Sequence, residues 1–148
     1  VLGLIFPPTR TEIPAEGVAM YGNRLRYVTA SLGIERMTPD NFDAALSRIP
    51  AAARELAAAG ADAIELTGTS LTFYKGEAFN RQLRETVTAA SGLRATTMSN
   101  GVIDGLKAVG AQRVASAARA AINRAACGRS CTSMPWSRWW SRAWVSRP

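Results

Sequence analysis

Three clusters of small and hydroxyl-bearing residues could supply chemistry in this chain of 148 residues. They occupy residues 7–9 (Pro-Pro-Thr), 68–70 (Gly-Thr-Ser) and 96–100 (Thr-Thr-Met-Ser-Asn), and each lies at or just after the end of a predicted strand. Backbone N–H groups in such turns, together with Thr and Ser hydroxyls, can hold a carboxylate or the oxygen of a developing enolate. Ser and Thr are also favoured as helix caps, so ordinary capping remains the alternative interpretation.

The strands that would position these clusters predict an α/β fold. Short apolar runs without alternation are typical of buried parallel strands, whose carboxyl ends share one edge of the sheet. Pro7-Pro8 should end the first strand, because proline cannot continue a central strand. We expect a parallel sheet of about four strands with helices on both faces. The predicted strands are residues 1–6, 63–66, 93–97 and 113–117.

Apolar residues at helical spacing separate these strands. Thr38-Pro39 is typical of a helix start, Pro50 should kink or split the helix that follows, and Gly60 should end it. A second helix is predicted near residues 77–91. A third is predicted over residues 100–109, and its inward residues should be Val102, Ile103, Leu106 and Val109.

The positive charge of the chain is concentrated at its end. Residues 1–117 carry 12 Lys and Arg against 11 Asp and Glu, whereas residues 118–148 carry six Arg and no acid. All four Trp and both Cys also lie in residues 118–148. We therefore expect an N-terminal α/β domain over residues 1–117 and a basic, poorly ordered tail over residues 118–148. The net charge of +7 then comes almost wholly from the tail and indicates no particular substrate.

Several kinds of site are excluded or lack ligands. The absence of His excludes His-based triads and His metal sites. Neither a phosphate-binding loop ending in Lys-Ser or Lys-Thr nor a GxGxxG motif follows a strand. Cys127 and Cys131 have no companion Cys or His, so a zinc site would be incomplete. Asp62 and Glu65 flank the second strand, where we expect both to be solvated.

Four stretches of the body resemble the arylmalonate decarboxylase family, within the aspartate/glutamate racemase superfamily that also contains maleate cis-trans isomerase. Together they cover about residues 3–117, and the third and fourth are the most specific. The stretches are GLIFPPTRTEIPAEG from Gly3, SLGIERMTPDNFDAAL from Ser31, LTGTSLTFYKGEAFN from Leu66 and GLRATTMSNGVIDGLKAVGAQRVA from Gly92.

The resemblance implies that this body is the first of two similar α/β domains, with the active site in the cleft between them. Members use no cofactor and no metal. A disubstituted malonate loses one carboxylate from an apolar pocket. Hydroxyl and N–H groups hold the resulting enediolate, and a cysteine thiol of the second domain protonates it. The expected partner is thus a small dicarboxylate substrate.

Individual residues match the family's site residues. Thr69 and Ser70 match the oxyanion donors of the first domain, and Pro7 and Pro8 match residues that line the pocket. Phe42 stands where a family decarboxylase has Tyr, so a hydroxyl contact from that position is lost. These assignments follow from the resemblance and not from spacing.

Gly68 separates the decarboxylase prediction from its alternatives. It matches the position at which racemases and isomerases of the superfamily carry their first cysteine. Two-base racemisation needs a proton donor on each face of the substrate, so glycine favours a decarboxylase. The alternatives are a racemase or maleate isomerase relative and, from another class, a non-catalytic domain whose basic tail binds nucleic acid.

The resemblance ends near Ala117. Cys127 and Cys131 lie in unrelated sequence and do not match the catalytic cysteine, and the second domain of the family is missing. An Arg-, Trp-, Ser- and Cys-rich composition is typical of a GC-rich gene translated in the wrong frame, which we expect to be the origin of residues 118–148. We therefore expect a truncated and inactive chain. Its expected location is cytoplasmic, since no leader, lipidation or disulfide pattern is apparent.

Overall fold

The computed structural model describes residues 1–36, 38–73 and 75–111. In this part of the chain the strands are β1 (Leu2–Pro8), β2 (Tyr27–Ile34), β3 (Ala63–Leu66) and β4 (Arg94–Thr97). They form one parallel sheet with the order β2-β1-β3-β4. The expected α/β class, with a four-stranded parallel sheet, is therefore confirmed.

Helices lie on both faces of the sheet. The helices of the described residues are α1 (Ala15–Tyr21), α2 (Pro39–Leu46), α3 (Ile49–Ala58), α4 (Thr69–Thr72), α5 (Glu77–Ser91) and α6 (Met98–Ala108). Helices α3 and α5 pack together on one face, where the core includes Ile64, Leu56 and Val87. On the other face, α1 brings Gly17 against Tyr27, since a β-carbon at Gly17 would lie 3.1 Å from the Tyr27 hydroxyl.

Local signals placed several helix ends correctly. Thr38 caps α2, and its hydroxyl accepts a hydrogen bond from the Asn41 N–H at 3.4 Å. The segment containing Pro50 splits into α2 and α3, as expected from the missing N–H of proline. Gly60 and Gly92 follow α3 and α5 with φ of +83° and +70°, a conformation that glycine adopts without strain.

The prediction that Pro7-Pro8 would end the first strand is wrong. Strand β1 runs to Pro8, which pairs with Ile34 of β2 after a register shift between Phe6 and Pro8. The irregularity offers a physical reason, because a bulge accommodates residues that cannot donate to the ladder. The prolines thereby stay at the carboxyl end of a central strand.

Two further elements differ from the prediction. Strand β2 and helix α1 were not expected, whereas the fourth predicted strand, residues 113–117, lies outside the described residues. The expected tail of residues 118–148 lies outside them as well. The described residues thus contain four strands, the predicted number, but the fourth of them is at the β2 edge. No helix in the described ranges is long and apolar enough to cross a membrane.

Helix α6 is less buried than its pattern predicts. Ile103 and Leu106 are half-buried, but Val102 and Val109 are 40% and 77% exposed. Within the described part of the chain, α6 packs against β4 and α4, and its Asn100 is hydrogen-bonded to Asn80 of α5. The expectation that Val102 and Val109 point inward is therefore wrong for this part of the structure.

Candidate functional site

A cavity of about 640 Å³ lies at the carboxyl ends of the strands and continues along the sheet face that carries α1. Its lining is mainly apolar. All six residues predicted from the resemblance line it, namely Pro7, Pro8, Phe42, Gly68, Thr69 and Ser70. The fold therefore brings together residues that are up to 63 positions apart in sequence.

Sheet register explains why these residues meet. Ile5 of β1 is paired with Leu66 of β3, and Leu66 is paired with Thr97 of β4. Strands β3 and β4 end at these positions while β1 continues to Pro8, so the residues that follow lie side by side at one edge of the sheet. Pro7, Gly68 and Met98 consequently line one end of the cavity.

Gly68 lies at the closest approach between two of the clusters. Its φ of +88° and ψ of +101° are rarely adopted by residues with a side chain. A β-carbon at Gly68 would also stand 2.8 Å from Cγ of Pro7, which is part of the strand end and has little freedom to move. Glycine is thus required here by both conformation and space.

Gly68→Ala is expected to lower the free energy of unfolding by about 1–3 kcal/mol, since the new side chain is strained and meets Pro7. Gly101→Ala is the matched control, because Gly101 lies inside α6 with nothing within 4 Å of its added carbon. The free energy of unfolding of that control should rise by about 0.5–1 kcal/mol, because alanine has a higher helix propensity than glycine. Urea unfolding of both variants measures the difference, and equal stabilities would contradict this account of Gly68.

Thr69 and Ser70 form the first turn of α4. Thr69 is exposed and Ser70 is half-buried, and neither hydroxyl makes a hydrogen bond to another described residue. The first amides of a helical turn have no acceptor within that turn, so the N–H groups of Thr69 and Ser70 are also available. Four donors therefore cluster at this end of the cavity, where an anionic oxygen could be held.

Buried hydroxyls behind this turn fix its position. The Thr72 hydroxyl donates to the Gly68 carbonyl at 3.1 Å and lies 2.5 Å from the Ser99 hydroxyl. Because Thr72 has one hydroxyl proton, the bond between the two side chains takes its proton from Ser99. Both residues are fully buried. They attach the turn that carries Thr69 and Ser70 to the start of α6.

Thr72→Val is expected to lower the free energy of unfolding by about 1–3 kcal/mol, since it leaves the buried Ser99 hydroxyl without its partner. The double variant Thr72→Val, Ser99→Ala removes both partners and should recover part of that loss. Thermal or urea unfolding of the single and double variants completes the cycle. A double variant less stable than the sum of the single effects would contradict the pairing.

The third predicted cluster, residues 96–100, mostly stabilises the fold. Thr97 is fully buried, and its hydroxyl lies 2.7 Å from Oδ1 of Asn80 and 2.9 Å from Oδ1 of Asn100. Thr97 also caps α6 by accepting from the Asn100 N–H. The capping interpretation is therefore right for Thr97, and of residues 96–100 only Met98 lines the cavity. Thr9 of the first cluster is exposed and does not line it.

Phe42 has two environments. It is fully buried within the hydrophobic core, and it also lines the cavity. Phe42 lies on helix α2, and the Thr38 cap fixes where that helix starts and so where Phe42 meets the core and the cavity. Phe42 thus contributes apolar surface to the cavity wall and packing to the core.

Glu65 was misjudged from the sequence. Asp62 is exposed, as expected, but Glu65 lies within β3, is half-buried and lines the cavity. Burial raises the pKa of the Glu65 carboxyl. Its neighbours in the strand, Ile64 and Leu66, are in the core under α3 and α5, so strand alternation directs Glu65 to the opposite face. Counting this alternation identifies the face of the sheet on which Glu65 lies.

The side chains around the cavity limit which metals and ligands the site could bind. No three acidic or cysteine side chains of the described residues come together as a metal site would require. Among the described residues, no lysine or arginine lines the cavity. The described part of the site therefore offers neutral donors and apolar surface, with Glu65 as its one carboxylate.

Comparison with known proteins gives one family. The family model described as arylmalonate decarboxylase matches residues 2–127. The arylmalonate decarboxylase of Bordetella bronchiseptica is 41% identical over 116 residues, which are 78% of this chain and 48% of that protein. The chain thus spans about half the length of the curated relative that it matches.

Solved structures agree with this match. A liganded arylmalonate decarboxylase with a glycine-to-cysteine and a cysteine-to-serine substitution is 38% identical, with a TM-score of 0.73 over 83% of this chain and 53% of that one. The maleate isomerase Iso from Pseudomonas putida S16, 18% identical, shares the fold, with a TM-score of 0.61 over 74% of this chain and 49% of that one. From the match over residues 2–127 and the identity to the Bordetella enzyme, the chain belongs to the arylmalonate decarboxylase family.

Proposed function

We propose that this chain carries the first half of an active site that decarboxylates arylmalonates or related disubstituted malonates. The observation that carries the proposal is the position of Thr69 and Ser70. Their hydroxyls have no partner among the described residues, and they lie at one end of an apolar cavity next to Pro7 and Pro8. Family membership supplies the reaction type.

The proposed reaction breaks one carbon–carbon bond. A carboxylate leaves as CO₂, and the electron pair of the broken bond passes into the remaining carboxylate to give an enediolate. The hydroxyl and N–H groups of Thr69 and Ser70 stabilise the negative charge that collects on the enediolate oxygens. The α-carbon then takes one proton, which gives a monocarboxylic acid. The family resemblance implies that no cofactor is needed.

The apolar lining favours the loss of charge. The departing carboxylate becomes neutral CO₂, so a cavity that solvates anions poorly destabilises the reactant carboxylate more than the transition state. Lysine and arginine, which would stabilise that carboxylate, are absent from the described part of the lining. The donors of Thr69 and Ser70 are confined to one end, where the retained carboxylate would bind.

The protonating group is not assigned to any described residue. By resemblance it is a thiol of the second domain, and this chain spans about half of its curated relative. We therefore propose that the chain alone has little or no activity. A cytoplasmic location is part of the same proposal and rests on the sequence alone.

Gly68 bears on the racemase and isomerase alternative. The likeness to maleate isomerase extends to the fold. A cysteine at Gly68 would need a β-carbon only 2.8 Å from Pro7 Cγ in the present backbone. Because residue 68 is glycine, the chain lacks at this position the first-domain thiol that the two-base alternative requires. This favours decarboxylation over racemisation or isomerisation. The nucleic-acid alternative concerns residues 118–148 and stays a prediction outside the described part.

Titration of the ¹⁵N-labelled chain with phenylmalonate tests the proposed binding mode. The amides of Thr69 and Ser70 should shift most, and a Thr69→Val, Ser70→Ala variant should lose these shifts. Thr9→Val is the control, because Thr9 is an exposed threonine near the same sheet edge but outside the cavity lining. Shifts confined to the α3 and α5 face, or none at all, would refute the proposal.

A further inference from the structure

The cavity extends well beyond the donors of Thr69 and Ser70. It continues along the sheet face past Phe6 and Leu4 towards Tyr27 and α1. Glu65 lies on this face between Leu4 of β1 and Thr96 of β4, its register partners on the two neighbouring strands. It therefore occupies the middle of the sheet and not its edge.

Glu65 is a carboxyl group in an apolar place without a described partner. No hydrogen bond or ion pair joins it to another described residue, and no lysine or arginine of the described residues lines the cavity. Burial is the cause that raises the pKa of this carboxyl. A partly buried carboxylate of this kind costs free energy unless a partner binds it.

The spacing along β3 gives the cavity two chemically different ends. Glu65 lies in β3 and Thr67 directly follows the end of that strand, so the α-carbons of these two residues are about 7 Å apart where the chain is extended. Thr69 and Ser70 follow directly after Gly68, so the anion-binding donors and the Glu65 carboxyl lie apart along one apolar wall. A ligand that fits both ends would be negative at one end and positive at the other.

We propose that Glu65 forms a second subsite, which binds an alkylammonium group attached to an aromatic ring. The carboxylate pairs with the ammonium group, the cavity wall covers the ring, and aromatic residues of the lining such as Phe6 and Tyr27 add attraction for a cation. In a bound malonate this subsite selects an aryl group that bears an amine. This selection among malonates rests on the proposed function.

Benzylamine and benzyl alcohol test the subsite separately from any reaction of malonates. The two probes share a ring and differ mainly in the charge of the attached group. In a titration of the ¹⁵N-labelled chain, benzylamine should shift the amides of Leu4, Glu65 and Thr96 and bind at least about fivefold more tightly than benzyl alcohol, a difference of about 1 kcal/mol.

Glu65→Gln should abolish the preference for benzylamine, since it removes the charge and preserves the size of the side chain. Glu55→Gln is the matched control, because Glu55 is an exposed residue of α3 on the other side of the sheet, and it should leave the preference intact. Equal affinities of the two probes for the unmodified chain would overturn the proposal, whether or not the variants fold. So would unchanged selectivity in Glu65→Gln.

Failure of the subsite and failure of the proposed function are distinguishable in this design. Benzylamine carries no carboxylate, so its binding does not depend on Thr69 and Ser70. If benzylamine binds as expected while phenylmalonate leaves Thr69 and Ser70 unshifted, the subsite stands and the malonate proposal fails. If phenylmalonate shifts those residues while both probes bind equally, the subsite fails and the malonate proposal stands.

Discussion

Thr69→Val is expected to lower kcat/KM for phenylmalonate about 10²–10³-fold, the usual cost of removing one oxyanion donor. The change is measured in a chimera that joins residues 1–111 of this chain to the second half of the Bordetella bronchiseptica arylmalonate decarboxylase. Valine preserves the shape of threonine and removes the hydroxyl. Because that hydroxyl has no partner among the described residues, its loss should affect the transition state far more than the fold.

The matched control for this prediction is Thr9→Val in the same chimera. Thr9 is also exposed and follows β1, but it does not line the cavity. Its rate should stay within about twofold of the unmodified chimera, in keeping with the small effects of substitutions at the surface. Similar rates for the Thr69 and Thr9 variants would remove Thr69 from the oxyanion site.

Phe42→Ala is expected to lower the free energy of unfolding by about 3–5 kcal/mol, the cost of emptying a large apolar site in a core. Phe42 has no exposed surface and belongs to the core cluster with Ile49 and Leu71. Small domains are stable by only about 5–15 kcal/mol, so this one change should remove a large share of the stability. Denaturation in urea, followed by circular dichroism, measures the loss.

Phe42→Leu is the control for packing, since it keeps most of the apolar volume. It should cost clearly less than Phe42→Ala because the cavity that it leaves is smaller. If Phe42 served only as a cavity wall, the two substitutions would have similar and small effects on stability. That outcome would contradict its assignment to the core.

The β2 edge of the sheet shows how a strand was missed although its signal was present. In Tyr27–Ile34, buried Ala30, Leu32 and Ile34 alternate with more exposed residues, a period of two that indicates a strand with two different faces. Tyr27–Ile34 lacks the continuous apolar run that favours a fully covered strand. The other three strands of the sheet were predicted, although β4 (Arg94–Thr97) has a single apolar residue and β1 runs on through Pro8.

The strand-end clusters could be found from the sequence, but their roles could not all be separated. Hydroxyls at a strand end serve equally as caps and as ligand donors. Tertiary packing decides between these roles: it buries Thr97 and Ser99 among Asn80 and Thr72, and it leaves Thr69 exposed. The family resemblance selected Thr69 and Ser70 because it carries information about that packing.

The burial of Glu65 could not be predicted from the sequence. Strand alternation places it opposite Ile64 and Leu66, but the sequence does not say how deeply that second face is covered. Only the three-dimensional structure shows that α1 and the strand ends enclose a cavity around it. The sequence therefore led to the prediction that Glu65 is exposed to solvent at the end of a strand.

Release of CO₂ from phenylmalonate by this chain alone and by the chimera tests the central claim most directly, that the described cavity is one half of a decarboxylase site. The account predicts that the chimera releases CO₂ about 10²–10⁴-fold faster than the chain alone, since under the proposed function the proton donor belongs to the second half. It would be contradicted by equal rates from the two proteins, or by a folded chimera that releases no CO₂ above the uncatalysed rate.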